Sequence, residues 1–374
     1  MRQKESDKAY KHWLYQTTGM GNRKLFKTLM SVGTPSEIHE MACRKKLSET
    51  LGKAYTAKAR MLEEAAQNYD VMEEYRKLED RGIQFITVGE DGYPGKLAAI
   101  PDAPCAIYYA GRLPDNARKT IAVIGARNCS EYGKAMARQF GEALAGAGVQ
   151  VVSGMARGID GIGQQAALDA GGYSLGVLGC GVDICYPPDN KMLYERLIEQ
   201  GGVCSEYPPG IEPRAMLFPP RNRIISGMCD GVLVVEAKER RGTLITVDMA
   251  LEQGREVYAL PGRVTDALSR GCNRLIRQGA EIIVSPQELL QELGLDGGIP
   301  EPRGQQKLPI PKGVQGQLYG LLDYQPVPLE ILQEKYADEY KKPITISELC
   351  YGLLQLCADG FADQVSGNYY VRRG

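Results

Sequence analysis

The sequence has very few of the residues that most metal sites and acid–base catalytic sites require. Its 374 residues include only two histidines, His12 and His39, and its ten cysteines form no CxxC pair. A structural zinc site needs closely spaced Cys or His ligands, and a catalytic triad needs a histidine beside its nucleophile. We therefore expect no zinc site, and no His-dependent triad in the central part of the chain. No cofactor is expected either.

Long apolar runs are also missing. No run approaches the roughly 20 residues that a helix needs to cross a bilayer, and the first residues, MRQKESDKAYK, lack the apolar core of a secretion signal. We therefore expect a cytoplasmic protein. Cys180, Cys204 and Cys229 stand beside apolar residues, as is typical of reduced thiols in a protein core.

Neither sign of charge dominates, since 45 Lys and Arg stand against 46 Asp and Glu. This balance excludes a protein that is basic over its whole surface, but it allows a local basic face. Two nucleotide-binding patterns are absent as well. No GxGxxG follows the first strand of the central region, and GxxxxGK[ST] occurs nowhere, which disfavours a conventional dinucleotide site and a P-loop ATPase.

Residues 120–295 alternate short apolar runs with helical segments. The runs are continuously apolar, as in parallel strands that are covered on both faces. The pattern predicts an α/β protein with an extended Rossmann-like, doubly wound sheet, in which ligands bind beyond the carboxyl ends of the strands. The predicted strands are Ile121–Gly125, Gln150–Ser153, Ser174–Leu178, Val203–Glu206, Gly231–Glu236, Val257–Leu260 and Glu281–Val284.

The regions before this sheet predict a helical domain and an extended segment. Residues 1–80 show helical spacing interrupted at Gly19-Met20-Gly21, which indicates either a helix-hairpin-helix (SAM-like) domain or a plain helical bundle. The central domain is predicted to span residues 81–297. It opens with two short strands, Gln84–Val88 and Ala106–Ala110, which are joined by a proline-rich connector. This segment is expected to be a lead-in that lies along the α/β region that follows.

The region after the sheet predicts a linker and a small C-terminal domain. Residues 298–312, GIPEPRGQQKLPIPK, have the composition of a linker. Residues 313–374 contain three helical patterns followed by a hairpin about Gly367-Asn368, which predicts a winged helix. The third helical pattern, Ile346–Ala358, contains no Lys or Arg, and this favours contact with protein over direct readout of DNA.

Two strand-to-helix turns of the same kind stand out in the central region. The first strand is followed by Gly125-Ala126-Arg127, and the second by Gly154 and then Arg157-Gly158. If the two strands are adjacent and parallel, both turns lie at one edge of the sheet. That edge would present bare N–H groups of helix N-termini and two guanidinium groups, which predicts an anion site. A guanidinium there could reach a phosphodiester lying over the strand ends.

Other polar and aromatic residues near the strand ends leave alternatives open. Ser153 and Ser205 either hydrogen-bond a phosphate or cap a helix. Arg221-Asn222-Arg223 either contact DNA or form a buried ion-pair network. Tyr132 and Phe218 either stack on bases or pack in the core.

The motifs, taken in order, resemble the DNA-processing protein A family, also called DprA/Smf. The segments that carry the resemblance are SGMARGID, LGCGVDICYPPDN, SEYPPG, FPPRNRIISG and GTLIT…ALEQGREVYALPG…GCNRLIRQGA. The resemblance implies a non-enzymatic protein that binds single-stranded DNA through its central domain and forms a homodimer. It also implies that the protein helps to load a RecA-type recombinase onto DNA taken up in natural transformation.

The resemblance also implies roles for particular residues. Arg127 and Arg157 match the DNA-contacting positions of the family, and Arg221-Asn222-Arg223 match a further signature near the same pocket. Two segments depart from the family pattern. Gly161-Ile162-Gly163-Gln164-Gln165 stand where a small residue and His are common, and Glu239-Arg240-Arg241 stand where a Ser-Gly-Ser type of turn is usual.

Two other hypotheses remain open. The chain could be an enzyme on a small nucleotide, because the LOG-type phosphoribohydrolases have a related Rossmann-like fold. Of their PGGxGTxxE signature, however, the chain contains only fragments at Leu260-Pro261-Gly262 and Arg241-Gly242-Thr243, without a Glu in register. The chain could also be a protein-interaction scaffold in which contact with DNA is secondary.

Overall fold

The structure of the protein, a computed structural model, describes residues 2–19, 23–239, 242–295 and 311–373. Its N-terminal part is helical, as predicted. The helices are α1 (Arg2–Thr18), α2 (Arg23–Val32), α3 (Pro35–Cys43), α4 (Leu47–Leu51), α5 (Thr56–Asn68) and α6 (Val71–Asp80). Residues 20–22 lie outside the described ranges, so the predicted helix-hairpin-helix turn between α1 and α2 stays a prediction.

Local chemistry explains where α3 begins. The hydroxyl of Thr34 accepts a hydrogen bond from the Glu37 N–H, and the Glu37 carboxylate accepts one from the Thr34 N–H at 2.8 Å. This reciprocal cap satisfies two N–H groups that a helix start leaves unpaired. The helices bury the single tryptophan, Trp13, and their core continues onto Phe85 and Tyr108 of the central region.

The central region contains a nine-stranded sheet. Its strands are β1 (Gln84–Thr87), β2 (Ala106–Gly111), β3 (Thr120–Ile124), β4 (Gln150–Ser153), β5 (Ser174–Val177), β6 (Gly202–Ser205), β7 (Gly231–Val234), β8 (Glu256–Ala259) and β9 (Glu281–Ile282). Their order across the sheet is β1-β2-β6-β5-β4-β3-β7-β8-β9. Strands β3–β9 are parallel, and all seven strands predicted for residues 120–295 are confirmed, with small differences at their ends.

The two opening strands are confirmed, and they form part of the sheet itself. Strand β1 pairs antiparallel with β2, and β2 pairs antiparallel with β6. Strand β6 would otherwise end the sheet with a row of unpaired N–H and C=O groups, and β2 satisfies them. The connector between β1 and β2 is held by a hydrogen bond from the Tyr93 hydroxyl to the Pro104 carbonyl oxygen at 2.7 Å.

Helices cover both faces of the sheet. They are α7 (Gly95–Ala98), α8 (Glu131–Gly146), α9 (Ile159–Asp169), α10 (Lys191–Gln200), α11 (Phe218–Gly227), α12 (Thr243–Glu252), α13 (Arg270–Arg277) and α14 (Pro286–Glu292). Successive side chains of β3 enter two different cores, with Ile121 and Val123 on one face and Ala122 and Ile124 on the other. The sheet is therefore buried on both sides, which is why its strands read as continuous apolar runs.

The C-terminal part contains three helices and a small sheet. The helices are α15 (Gly313–Leu321), α16 (Leu329–Tyr340) and α17 (Ile346–Ala358), and the strands are β10 (Val327–Pro328), β11 (Ala362–Ser366) and β12 (Tyr369–Arg372). The predicted helices and hairpin are confirmed. Strand β10 was not predicted, because two residues are too few to show a period. Of the predicted linker, residues 298–310 lie outside the described ranges.

Two further observations concern the described ranges as a whole. No helix in them is both long enough and apolar enough to cross a membrane. No group of three or more His, Cys, Asp and Glu side chains in the same ranges could hold a metal ion. The ten cysteines are all free thiols, and Cys180, Cys204 and Cys229 are buried as predicted.

Candidate nucleic-acid interface

The two arginine turns lie against each other at the carboxyl edge of the sheet. Strands β3 and β4 are adjacent and parallel, so the turns that follow them meet, as predicted. The Ile159 N–H donates to the Ala126 carbonyl oxygen at 3.3 Å. Gly158 has φ of 76°, and a Cβ there would lie 2.3 Å from the Ala126 oxygen and 2.5 Å from the Arg127 oxygen. Only glycine allows this close stacking of the two turns.

Both arginine side chains of these turns reach solvent. Arg127 is exposed, and its guanidinium has no hydrogen bond or ion pair with any other described residue. The Arg157 side chain is 61% exposed, and its Nε lies 2.7 Å from the Asp189 Oδ2. Two guanidinium groups on rigid, touching turns can bind neighbouring anionic groups of one ligand.

The helix starts differ from the bare N–H groups that we expected, and for α8 that expectation is wrong. The Ser130 hydroxyl caps α8 by accepting a hydrogen bond from the Gly133 N–H at 3.0 Å. The Glu236 carboxylate accepts from the Ser130 N–H at 3.0 Å, and burial raises the pKa of Glu236. The protein therefore places its own carboxylate at the positive end of α8. Helix α9 begins without a side-chain cap.

A buried polar layer lies directly beneath the turns. Arg221 is only 5% exposed, and its Nη1 donates to the carbonyl oxygens of Gly154, at 2.9 Å, and Val177. The Gly154 N–H donates to Asp160 Oδ2 at 3.2 Å. Burial raises the pKa of Asp160, while the charge of Arg221 opposes the rise. Arg221 thus fastens the ends of β4 and β5 together.

The other two residues of the predicted trio occupy different environments. The Arg223 side chain is 13% exposed and pairs with Glu206 Oε2 at 2.6 Å and with Asp102 Oδ2 at 3.1 Å. Of the two alternatives from the sequence, the structure therefore shows buried networks at Arg221 and Arg223. Asn222 is half-buried, and its amide has no hydrogen-bond partner within the described ranges.

The two serines at the strand ends are buried and cap no helix. Ser153 Oγ donates to the Val123 carbonyl oxygen at 2.7 Å, which links β4 to β3. Ser205 Oγ donates to the Leu178 carbonyl oxygen at 3.4 Å and accepts from the Tyr207 N–H at 3.0 Å. Both serines are fully buried, so their hydroxyls join neighbouring strands instead of facing a ligand.

The two candidate aromatic residues are separated by the structure. The Phe218 ring is half-buried and packs on Tyr186, with centroids 5.3 Å apart and an angle of 31° between the ring planes. Tyr186 is 41% exposed, so this pair presents an aromatic surface beyond β5. Tyr132 instead packs edge-on against Tyr324 of the C-terminal part.

Sequence reasoning missed two neighbours of Arg157. Asn190 Nδ2 donates to the carbonyl oxygens of Met155, at 2.9 Å, and Ala156, at 3.2 Å, and so holds the second turn in place. Asp189 forms the ion pair with Arg157. Both belong to the PPDN segment after β5, and no spacing rule connects that segment with β4. The only available signal was the presence of two polar residues at another strand end of the same sheet.

The segment 161–165, which departs from the family pattern, has a structural role. Gln164 is fully buried, its Oε1 accepts from the Met155 N–H at 3.1 Å, and its Nε2 donates to the Leu175 carbonyl oxygen at 2.9 Å. Gly163 lies where α8 and α9 touch, since a Cβ on Gly141 would lie 2.5 Å from the Gly163 oxygen. The segment therefore supports the second turn from below.

Comparisons with known proteins identify the family of the chain. Residues 84–294 match the family model described as DNA recombination-mediator protein A. The chain belongs to this family. The DNA processing protein DprA of Streptococcus pneumoniae is 41% identical over 228 residues, which cover 59% of this chain and 80% of that protein. The resemblance to the DprA/Smf family is thereby confirmed.

Solved structures of the family share the central fold. The X-ray structure of DprA from Streptococcus pneumoniae covers 76% of this chain and 97% of its own, with a TM-score of 0.65 and 35% identity. DNA processing protein A from Helicobacter pylori covers 57% and 97%, with a TM-score of 0.51 and 28% identity, and it is described for its mode of binding single-stranded DNA. The Rossmann-like α/β fold predicted from the sequence is confirmed, and the sheet is mixed because β1 and β2 are antiparallel.

Proposed function

We propose that this protein binds single-stranded DNA at the carboxyl edge of its sheet and acts without catalysis as a recombination mediator. In this role it loads a RecA-type recombinase onto DNA taken up in natural transformation, and it does so as a homodimer formed through the central domain. The observation that carries the DNA-binding part is the pair of exposed arginines, Arg127 and Arg157, on stacked turns of adjacent strands.

The arrangement suits a phosphodiester backbone. Guanidinium groups bind phosphate oxygens through paired N–H donors, and the stacked turns hold both groups above one edge. The Tyr186–Phe218 pair lies beyond β5 on the same edge and offers a surface on which a base can stack. The assignment of Arg157, Gly158 and Arg127 to DNA contact rests on this geometry. Ser153, Ser205, Arg221 and Arg223 support the site from below.

Side chains near the edge are poorly placed for catalysis. The hydroxyl of Thr243, a candidate nucleophile, donates to the Gly125 carbonyl oxygen at 3.1 Å. Glu236, a candidate base, is already hydrogen-bonded to Ser130. This arrangement favours binding over the phosphoribohydrolase hypothesis. Release of free base from a panel of nucleoside monophosphates would support the enzyme instead.

The terminal parts complete the proposal. We propose domains at residues 1–80, 81–297 and 313–374, joined by the linker 298–312, with a helix-hairpin-helix fold at the N-terminus and a winged helix at the C-terminus. Helix α17 exposes Ile346, Tyr351 and Leu354, which are apolar or aromatic. A face of this kind, without Lys or Arg, favours contact with protein over a DNA groove.

The test is a salt titration of single-strand binding. We expect the Arg127→Ala/Arg157→Ala protein to lose at least about tenfold in affinity, and its slope of log K against log salt to shrink by about 0.7 for each lost phosphate contact. The matched control is Arg118→Ala/Arg76→Ala, because these side chains are 59% and 64% exposed and, like Arg157, are paired with acids. Equal affinity for duplex DNA, or equal loss in the control, would contradict the site.

A further inference from the structure

One contact of the C-terminal part with the central region is a short turn, residues 323–325, between α15 and β10. The Tyr324 ring packs edge-on against the Tyr132 ring, with centroids 6.4 Å apart. The Tyr324 hydroxyl also accepts a hydrogen bond from Gln139 Nε2 at 3.1 Å. Tyr132 and Gln139 both belong to α8, the helix that begins just after the Arg127 turn.

The same turn engages a third arginine of the central region. Arg263 Nη1 donates to Gln325 Oε1 at 2.9 Å, and Arg263 Nη2 lies 3.8 Å from Asp323 Oδ2. Arg263 follows β8, and β8 is separated from β3 only by β7. Arg263 therefore stands at the carboxyl edge that carries Arg127, on the side away from Arg157, and its charge is paired with an acid from another part of the chain.

The net charge of the C-terminal part is negative, which disfavours binding of DNA beside it. Residues 313–374 contain eight acidic and five basic side chains. An acidic unit beside this cationic edge repels a phosphate backbone, and it also pairs with one arginine of the edge. This contact is small, and an exposed ion pair is weak, so a polyanion can displace the turn.

We infer that the 323–325 turn is an intramolecular cover for the β7–β8 end of the DNA edge. This inference rests on the proposed function. In the covered state a DNA strand contacts the Arg157 and Arg127 turns but does not reach Arg263. When the turn moves away from the edge, Arg263 is released from its acidic partner and binds a phosphate. The protein then contacts one more phosphate of the DNA.

The experiment uses the full chain with Asp323→Asn/Tyr324→Ala. We expect a larger radius of gyration in small-angle X-ray scattering, an affinity for single-stranded DNA that is about two- to fivefold higher, and a salt slope steeper by about 0.7. Adding Arg263→Ala to this variant returns the slope to the wild-type value. The matched control, Asp338→Asn/Tyr369→Ala, removes the same charge and ring from exposed positions outside the contact.

The outcomes separate this inference from the proposed function. A wild-type protein without single-strand binding would overturn the proposed function, while scattering would still decide whether the turn holds the two parts together. An unchanged radius of gyration would show that the contact is absent in solution, and this would overturn the inference that the turn covers the edge. Lower affinity in the Asp323→Asn/Tyr324→Ala variant would show that the C-terminal part contributes to DNA binding, which also overturns it.

Discussion

Two layers of the same sheet edge contain arginines in opposite environments. In the upper layer, Arg127 and Arg157 stand on turns and point into solvent. In the lower layer, Arg221 and Arg223 belong to α11 and are nearly buried, with carbonyl and carboxylate oxygens around them. The difference shows that arginines at one sheet edge can either face solvent or hold together the backbone and side chains beneath the surface.

Burial of a guanidinium is tolerable only where acceptors surround it. Removing a charge from water costs several kcal/mol, and the partners of Arg221 offset that cost. Those partners are the backbone oxygens of Gly154, which directly follows β4, and of Val177, the last residue of the neighbouring β5. The lower layer therefore sets the spacing of the strand ends on which the upper layer stands.

The largest effect on stability is expected for Arg221→Ala. We expect the free energy of unfolding to fall by about 3–5 kcal/mol, because the change leaves Asp160 buried without its countercharge. Urea denaturation measures the loss. Arg214→Ala is the control, since Arg214 is exposed on the same connection and should change stability little. If Arg221→Ala left stability intact and abolished DNA binding alone, the roles of the two layers would be reversed.

The second prediction concerns another buried basic group, the imidazole of His12. His12 is 3% exposed, and burial lowers its pKa to about 4, with Glu74 opposing slightly. Because the folded protein binds this proton less readily than the unfolded chain, stability is full above pH 6.5 and is lost as the pH falls through about 4. The contribution is about 3 kcal/mol.

The test for His12 is urea denaturation across this pH range. His12→Leu should remove most of the acid-dependent loss, because leucine fills the apolar site without a titrating group. His39→Gln is the control and should retain most of the loss, since His39 is only half-buried. An unchanged pH profile in His12→Leu would place the acid sensitivity elsewhere.

The third prediction concerns the stacking of the upper layer. Gly158→Ala should cost about 1–3 kcal/mol of stability, because alanine is strained at φ of 76° and its Cβ would meet the Ala126 oxygen. It should also weaken DNA binding by separating the turns. Gly148→Ala is matched in φ at 76° but has nothing within 4 Å of the new Cβ. Equal DNA affinity in the two variants would show that stacking is not needed for binding.

The smallest expected effect comes from releasing Arg157. Asp189→Asn removes the partner of Arg157 and a negative charge beside the DNA path, so affinity for single-stranded DNA should rise about two- to fivefold. Fluorescence anisotropy with a labelled oligonucleotide is sensitive enough to measure this. Asp169→Asn, which removes a similar partner from Arg196 at the far end of α9, should leave the affinity unchanged. Weaker binding in Asp189→Asn would mean that the ion pair orients Arg157 for contact.

Much of the central fold could be predicted because its signals are local. Strands buried on both faces read as apolar runs, and a Gly with an Arg after two such runs marked the turns. The antiparallel pairing of β1 and β2 could not be predicted, because it depends on an open edge at β6 that is distant in sequence. The Glu236 carboxylate at the start of α8 was missed for the same reason, since 106 residues separate it from Ser130.

Local patterns in the sequence predict the strands, the family resemblance and the two arginine turns. The packing of segments that are distant in sequence brings the turns together and settles which arginines face solvent. The exposure of a side chain depends on what packs over it, and Arg221 is covered by segments as far as 67 residues away in the chain. The turn that holds Arg263 likewise comes from the other side of the linker.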